Sequence, residues 1–194
     1  MSKKTDSKRE KIIQSAKELF ANNGYYFTNI NEITRNSGIA TGTFYLYFKT
    51  KEDLMVQMFE SLFEDIPESV SRILGKDLSP LDKFREIIKQ FIFRISDDFD
   101  WARLVLIEMR QSNKALRNIF PKLRQTYLEI IIKLLKEAQE KDLVKNDLDS
   151  NIIGVASFGI IDSLLFDWII NNYSKEQLFE NIEKSIDYFV NGIK

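Results

Sequence analysis

Apolar residues recur along this chain with the spacing of one face of an α-helix, and almost nothing interrupts them. Only three Pro and seven Gly punctuate 194 residues. No segment keeps the alternation of a half-buried strand, so the pattern predicts an all-α fold. Ile12, Ile13, Ala16, Leu19 and Phe20 make the first helical face, with Ser7 as a candidate cap and Asn22-Asn23-Gly24 as the stop. A short second helix, capped by Thr28 with Ile30 and Ile33 inward, is expected to end at Ser37-Gly38, where glycine permits a tight turn. A third runs from about Thr41 to Phe48. Thr50-Lys51-Glu52-Asp53 resembles a capping box that opens a long fourth helix carrying Leu54, Met58, Leu62 and Ile66, interrupted or kinked at Pro67. Beyond Leu78-Ser79-Pro80, helices are expected at 80–97, 101–111, 114–141, 149–172 and 174–192, about nine in total.

The last two helices constrain assembly. Residues 152–170 are apolar nearly all round, whereas Leu178, Ile182, Ile186 and Phe189 form one stripe on an otherwise charged helix. A helix without a polar face must be covered on both sides. Either an intramolecular neighbour covers it, or a second copy of the same helix pair does, in a two-fold intersubunit four-helix bundle. A membrane span is not expected, because Asp162, Asp167, Gly154, Ser157 and Ser163 lie inside the stretch. Met1 to Glu10 is polar and charged, unlike a signal peptide, so the expected location is cytoplasmic.

With no Cys and no His, thiolate chemistry, the commonest general base and most zinc sites are excluded. G-x-S-x-G, P-loop and H-E-x-x-H motifs are also missing, so no enzyme, metal or cofactor is expected. The net charge of −1 hides an asymmetry: residues 1–51 carry nine Lys or Arg against four Asp or Glu, and the remainder is correspondingly acidic. A basic head on an acidic body fits a head that meets DNA, or a solvated basic face.

From Thr28 to Phe48 the chain has the helix, glycine-containing turn and second helix of a helix-turn-helix. Ile30, Ile33, Ile39, Phe44 and Phe48 are spaced to lock both helices against the first, which leaves Thr41, Thr43, Tyr45 and Tyr47 outside. Small polar residues at the start of a recognition helix let its backbone approach the major-groove floor. The run Ser37-Gly-Ile-Ala-Thr-Gly-Thr-Phe-Tyr-Leu-Tyr-Phe-Lys-Thr-Lys-Glu-Asp-Leu54 resembles the signature of the TetR family of transcriptional regulators, over about residues 8 to 58. Ala40 stands where the family often has Ser, which leaves the cap to Thr41.

The resemblance implies a helix-turn-helix domain over 1–50, and a larger helical ligand-sensing and dimerisation domain over 51–194. The protein would be a homodimer through its last two helices, acting as a repressor on an inverted-repeat, double-stranded DNA operator. Thr28, Asn29, Asn31, Thr41, Gly42, Thr43, Tyr45, Tyr47 and Lys51 are the candidate DNA contacts. Of these, Asn29, Tyr47 and Lys51 are implied on phosphate, and Asn31, Thr41, Thr43 and Tyr45 nearest the bases. Tyr45 and Tyr47 can instead be partly buried rings that hold the helix. Lys3, Lys4, Lys8, Arg9 and Lys11 form either a DNA-backbone arm or a solubilising tail.

Within the body, Val105-Leu-Ile-Glu-Met-Arg-Gln-Ser-Asn113, Leu116-Arg117 and Gly159-Ile-Ile-Asp-Ser163 resemble fatty-acid-responsive, acyl-CoA-binding members of the family. That implies a hydrophobic effector, an acyl-CoA, with its chain in an apolar cavity and Arg103, Arg110, Lys114 or Arg117 meeting the phosphates. Candidate effector residues are Arg103, Glu108, Arg110, Phe158, Asp162 and Phe166. Glu108 and Arg110 fit a structural ion pair equally, and Asp162 fits a contact across the dimer interface. The alternatives are a regulator of multidrug efflux that responds to lipophilic drugs, with Glu108, Asp162 and Asp167 facing a cation, or a DNA-binding protein without a ligand.

Overall fold

The computed structural model describes residues 3–110, 116 and 119–194. Among these there are ten helices and no strand. They are α1 (Lys3–Asn23), α2 (Ile30–Ser37), α3 (Thr41–Phe44), α4 (Lys51–Phe63), α5 (Ile66–Leu74), α6 (Pro80–Ser96), α7 (Phe99–Arg110), α8 (Ile119–Glu140), α9 (Ser150–Asn171) and α10 (Lys175–Ile193). The long fourth helix divides into α4 and α5 because Pro67, lacking an N–H, sits in the first turn of a new helix. The expected start of α8 at Lys114, and Arg117 with it, lies outside the described residues.

The chain forms two compact units, Met1–Phe63 with Asp98–Ile119, and Glu64–Asp97 with Phe120–Lys194. In the first, Ile12, Ala16, Phe20, Ile33, Phe44, Phe48, Leu54, Met58 and Phe59 are fully buried. Helix α7 packs on α1 in this unit, and Trp101 meets Phe59 edge-on with ring centroids 5.8 Å apart. Lys17, 4% exposed, pairs with Asp98 at the start of α7. Burial works to raise the Asp98 pKa, but the Lys17 hydrogen bond and the Trp101 N–H outweigh it and hold the carboxyl below its usual range.

Several local expectations are corrected. Helix α1 starts at Lys3, because no Gly or Pro interrupts the charged run, so Ser7 lies inside it rather than capping it. Asn29, not Thr28, caps α2: its side chain accepts from the Glu32 N–H (3.0 Å), and Glu32 accepts from the Asn29 N–H (2.9 Å). Thr41 does not cap α3, whose N-cap is Ala40 without a side-chain bond. Thr50 does accept from the Asp53 N–H (3.0 Å), but the Asp53 carboxylate reaches back to the N–H of Lys49 (2.7 Å) rather than to that of Thr50. Gly38 ends α2 at φ 67°, in the left-handed region that favours glycine.

In the second unit, α6 and α9 both pack on α10. Arg85–Asp187 and Lys89–Glu183 (2.6 Å) bridge α6 to α10, and Phe84 stacks on Phe189. Gly154 lets α8 approach α9, since a Cβ there would meet the Ile132 side chain at 3.1 Å. A cavity of about 10 Å³ among Ile88, Ile92, Ser157, Ile161, Ile182 and Ile186 holds no more than one water.

Helix α9 is long and apolar enough to cross a membrane by length and composition, with a mean hydropathy of 1.7. Ile153, Ser157, Ile161, Leu165 and Trp168 face inward, while Ile152 (68% exposed), Val155, Phe166 and Ile170 (65%) face outward. The expected cover on both sides is therefore absent from the single described chain.

Candidate DNA interface and effector residues

The helix-turn-helix is held by polar struts as much as by its core. Ser15 of α1 donates to the Ile33 carbonyl of α2 (2.9 Å) and accepts from Asn36 (3.1 Å). The turn between α2 and α3 is tied by the hydroxyls of Thr34 and Thr41, 3.2 Å apart, and the Thr41 hydroxyl donates to the side-chain Oδ1 of Asn31 (3.4 Å). Ile33, Phe44 and Phe48 are fully buried as expected, whereas Ile30 and Ile39 are half-buried at the rim.

This frame leaves Asn29, Asn31, Thr41, Gly42 and Tyr45 exposed, with Thr43 and Tyr47 half-buried. Two of the expected DNA contacts, Thr28 and Lys51, brace the loop before α2. Thr28 is 1% exposed, and its hydroxyl donates to the Gly24 carbonyl (3.0 Å). The Lys51 ammonium donates to the carbonyls of Tyr25 and Thr28, each at 2.8 Å, over the Tyr25 ring. Burial lowers the Lys51 pKa. Three side chains that the helical pattern did not single out stand in solvent beside this face: Tyr26, Phe27 and Leu46. Each is apolar in a short turn, where periodicity carries no signal.

The six expected effector residues divide between the units. Arg103, Glu108 and Arg110 lie on α7 with the helix-turn-helix. Arg103 donates to Asn22 at the end of α1 (3.0 Å), Glu108 is 2% exposed, and Arg110 donates to the Leu106 carbonyl (3.0 Å). Phe158, Asp162 and Phe166 lie on α9. Phe158 joins Phe91 and Tyr127 in an aromatic cluster, with Tyr127 at 5.6 Å and the Arg124 guanidinium 5.4 Å from its ring centre. Asp162 is half-buried, and Phe166, 48% exposed, stands on the outer face rather than in the interior. Tyr127 and Arg124 were not legible as partners because a contact across three helices has no spacing in sequence. The Tyr127 hydroxyl is buried near Ser157 and makes no well-formed hydrogen bond among the described residues, while Ser157 donates to the Gly154 carbonyl (2.7 Å). Burial raises its pKa.

The family model for bacterial regulatory proteins of the tetR family matches residues 12–58, and that for the YsiA-like protein C-terminal region matches residues 59–192. The chain belongs to the TetR family. Its relatives include the fatty acid metabolism regulator protein of Bacillus subtilis (strain 168), 29% identical over 94% of this chain and 93% of that protein. The structure of the transcriptional regulator FadR from Bacillus subtilis in complex with stearoyl-CoA is similar with a TM-score of 0.79 and 30% identity, over 95% of this chain and 99% of that one. The fatty acid degradation regulator FadR from Bacillus halodurans shares the fold, with a TM-score of 0.82 and 24% identity over 96% of each chain. This TetR-family chain is thus a transcriptional regulator with a DNA-binding helix-turn-helix, not an enzyme.

Proposed function

We propose that this regulator is a cytoplasmic homodimeric repressor released from its operator by a long-chain acyl-CoA. The observation that carries the reading is the similarity, over nearly the whole chain, to a FadR held with stearoyl-CoA. The aromatic cluster of Phe91, Tyr127 and Phe158, capped by Arg124, supplies apolar surface beside a cation, the two features such an amphipathic ester needs. Asn29, Asn31, Thr41, Gly42, Thr43, Tyr45 and Tyr47 face DNA, with Thr28 and Lys51 holding the loop that presents them. The outer faces of α9 and α10, with Ile152, Val155, Phe166, Ile170 and Tyr188, pair with a second copy. Phe166 then belongs to the dimer seam, and Arg103, Glu108, Arg110, Phe158 and Asp162 remain effector candidates.

Thermal unfolding with acyl-CoA esters of graded length, free CoA and lipophilic cations tests the effector. Long esters should raise the Tm, by the equivalent of about 2.7 kcal/mol at a hundred times their Kd, and should release operator DNA. Stabilisation by cations alone would favour the drug-responsive alternative. Phe166→Glu should yield a folded monomer in sedimentation, and Tyr45→Ala should weaken operator binding without loss of the dimer.

A further inference from the structure

Four large apolar side chains within residues 3–63 stand mostly in solvent: Tyr26 (64% exposed), Phe27 (86%), Tyr45 (55%) and Leu46 (81%). The same stretch buries Phe20, Phe44, Phe48 and Phe59 completely, so its core is complete without them. A single exposed leucine is ordinary on a protein surface. Leu46 differs in how it is held. It lies in the turn that ends α3, fixed by Leu46 N–H to Thr43 (3.2 Å), Tyr47 N–H to Phe44 (3.0 Å) and Phe48 N–H to Phe44 (3.0 Å). The buried rings of Phe44 and Phe48 anchor that turn on both sides, so the leucine is presented outward on a rigid base.

Its neighbours Thr41, Thr43, Tyr45 and Tyr47 offer hydroxyls, which suit phosphates and the polar edges of bases. None of these hydroxyls is matched to the one apolar mark in the major groove, the 5-methyl group of thymine. Contact with the sugar–phosphate backbone would expose Leu46 to a charged surface and gain little. Contact with a methyl group removes two apolar surfaces from water together. We propose that Leu46 is a specificity-determining residue that reads the methyl group of one thymine in each operator half-site. This rests on the docking of α3 in the major groove given above.

The test uses the full-length protein and a duplex that it selects from a random-sequence pool. Each thymine is replaced in turn by deoxyuridine, which keeps its base pairing and lacks only the methyl group. One position per half-site should lower wild-type affinity about fourfold, the effect of losing about one buried methyl group, and about sixteenfold when both half-sites are changed. Leu46→Ala should bind the thymine and deoxyuridine duplexes equally and keep the wild-type Tm and salt dependence. A wild-type protein indifferent to every methyl group, or a Leu46→Ala variant that still discriminates, overturns the proposal. Tyr45→Ala, measured alongside, separates the two levels. If it loses operator affinity while Leu46→Ala keeps the methyl preference, the docking stands and the leucine reading falls. If neither substitution changes affinity, the docking itself is wrong.

Discussion

The helix-turn-helix and the α9–α10 pair solve the problem of position by opposite means. Between Thr28 and Asp53, short helices that cannot hold themselves are fixed by side-chain hydrogen bonds: the Asn29–Glu32 box, the Thr34–Thr41 hydroxyl pair, and Lys51 across two carbonyls. Helix α9 has 22 residues, takes its side-chain cap from Asp149 alone, and relies on apolar packing along its length. The contrast teaches that a DNA-facing surface needs directional bonds to fix each donor, whereas a packing surface needs only shape and area.

The strongest challenge to this contrast is Phe44→Ala. It opens a cavity under the recognition turn and should cost about 3–5 kcal/mol, read as lost hydrogen-exchange protection in residues 3–63. Gly154→Leu attacks the other region through shape alone, overpacking against Ile132, and should cost about 1–3 kcal/mol in thermal or urea unfolding. Asn29→Ala removes one cap and should cost about 1 kcal/mol, with a loss of operator affinity larger than its effect on Tm.

Acid separates the regions further. Asp98, Asp53 and Glu52 in the first unit have pKa values lowered in the folded state, Asp53 chiefly by the Lys49 N–H. Their stabilisation is present above the ordinary carboxylate range and is lost as pH falls through the lowered values. Asp149, Glu176 and Glu180 of the second unit are lowered too, but all three are exposed and screened by solvent, so hydrogen exchange should quicken more in the first unit on acidification. Tyr127→Phe has the smallest effect. Removing a buried hydroxyl that makes no well-formed hydrogen bond should leave stability unchanged or raise it by up to about 1 kcal/mol, while any change in acyl-CoA affinity would place the hydroxyl at the effector.

What was legible in the sequence follows the same division. Helical periodicity gave the order of elements, and Gly24, Gly38 and Pro67 marked real breaks because their backbone limits act locally. The inward Ile33, Phe44 and Phe48 were legible for the same reason. The cap of α2 was displaced by one residue because Thr28 and Asn29 are both good caps, and only the inward packing of Thr28 decides between them. The hydrogen bonds of Lys51 to the Tyr25 and Thr28 carbonyls were not legible, because they join residues 26 and 23 positions apart. The effector candidates were least legible, since nothing in their spacing indicated that α7 and α9 fall in different units.

That α7 folds with α1 has a practical consequence for anyone building chimeras. A fragment cut after Phe63 would strip α1 of the helix that covers it and leave Lys17 without Asp98. Transplanting the operator preference of this protein onto a relative therefore requires two pieces of gene, one encoding residues 1–63 and one encoding residues 98–119.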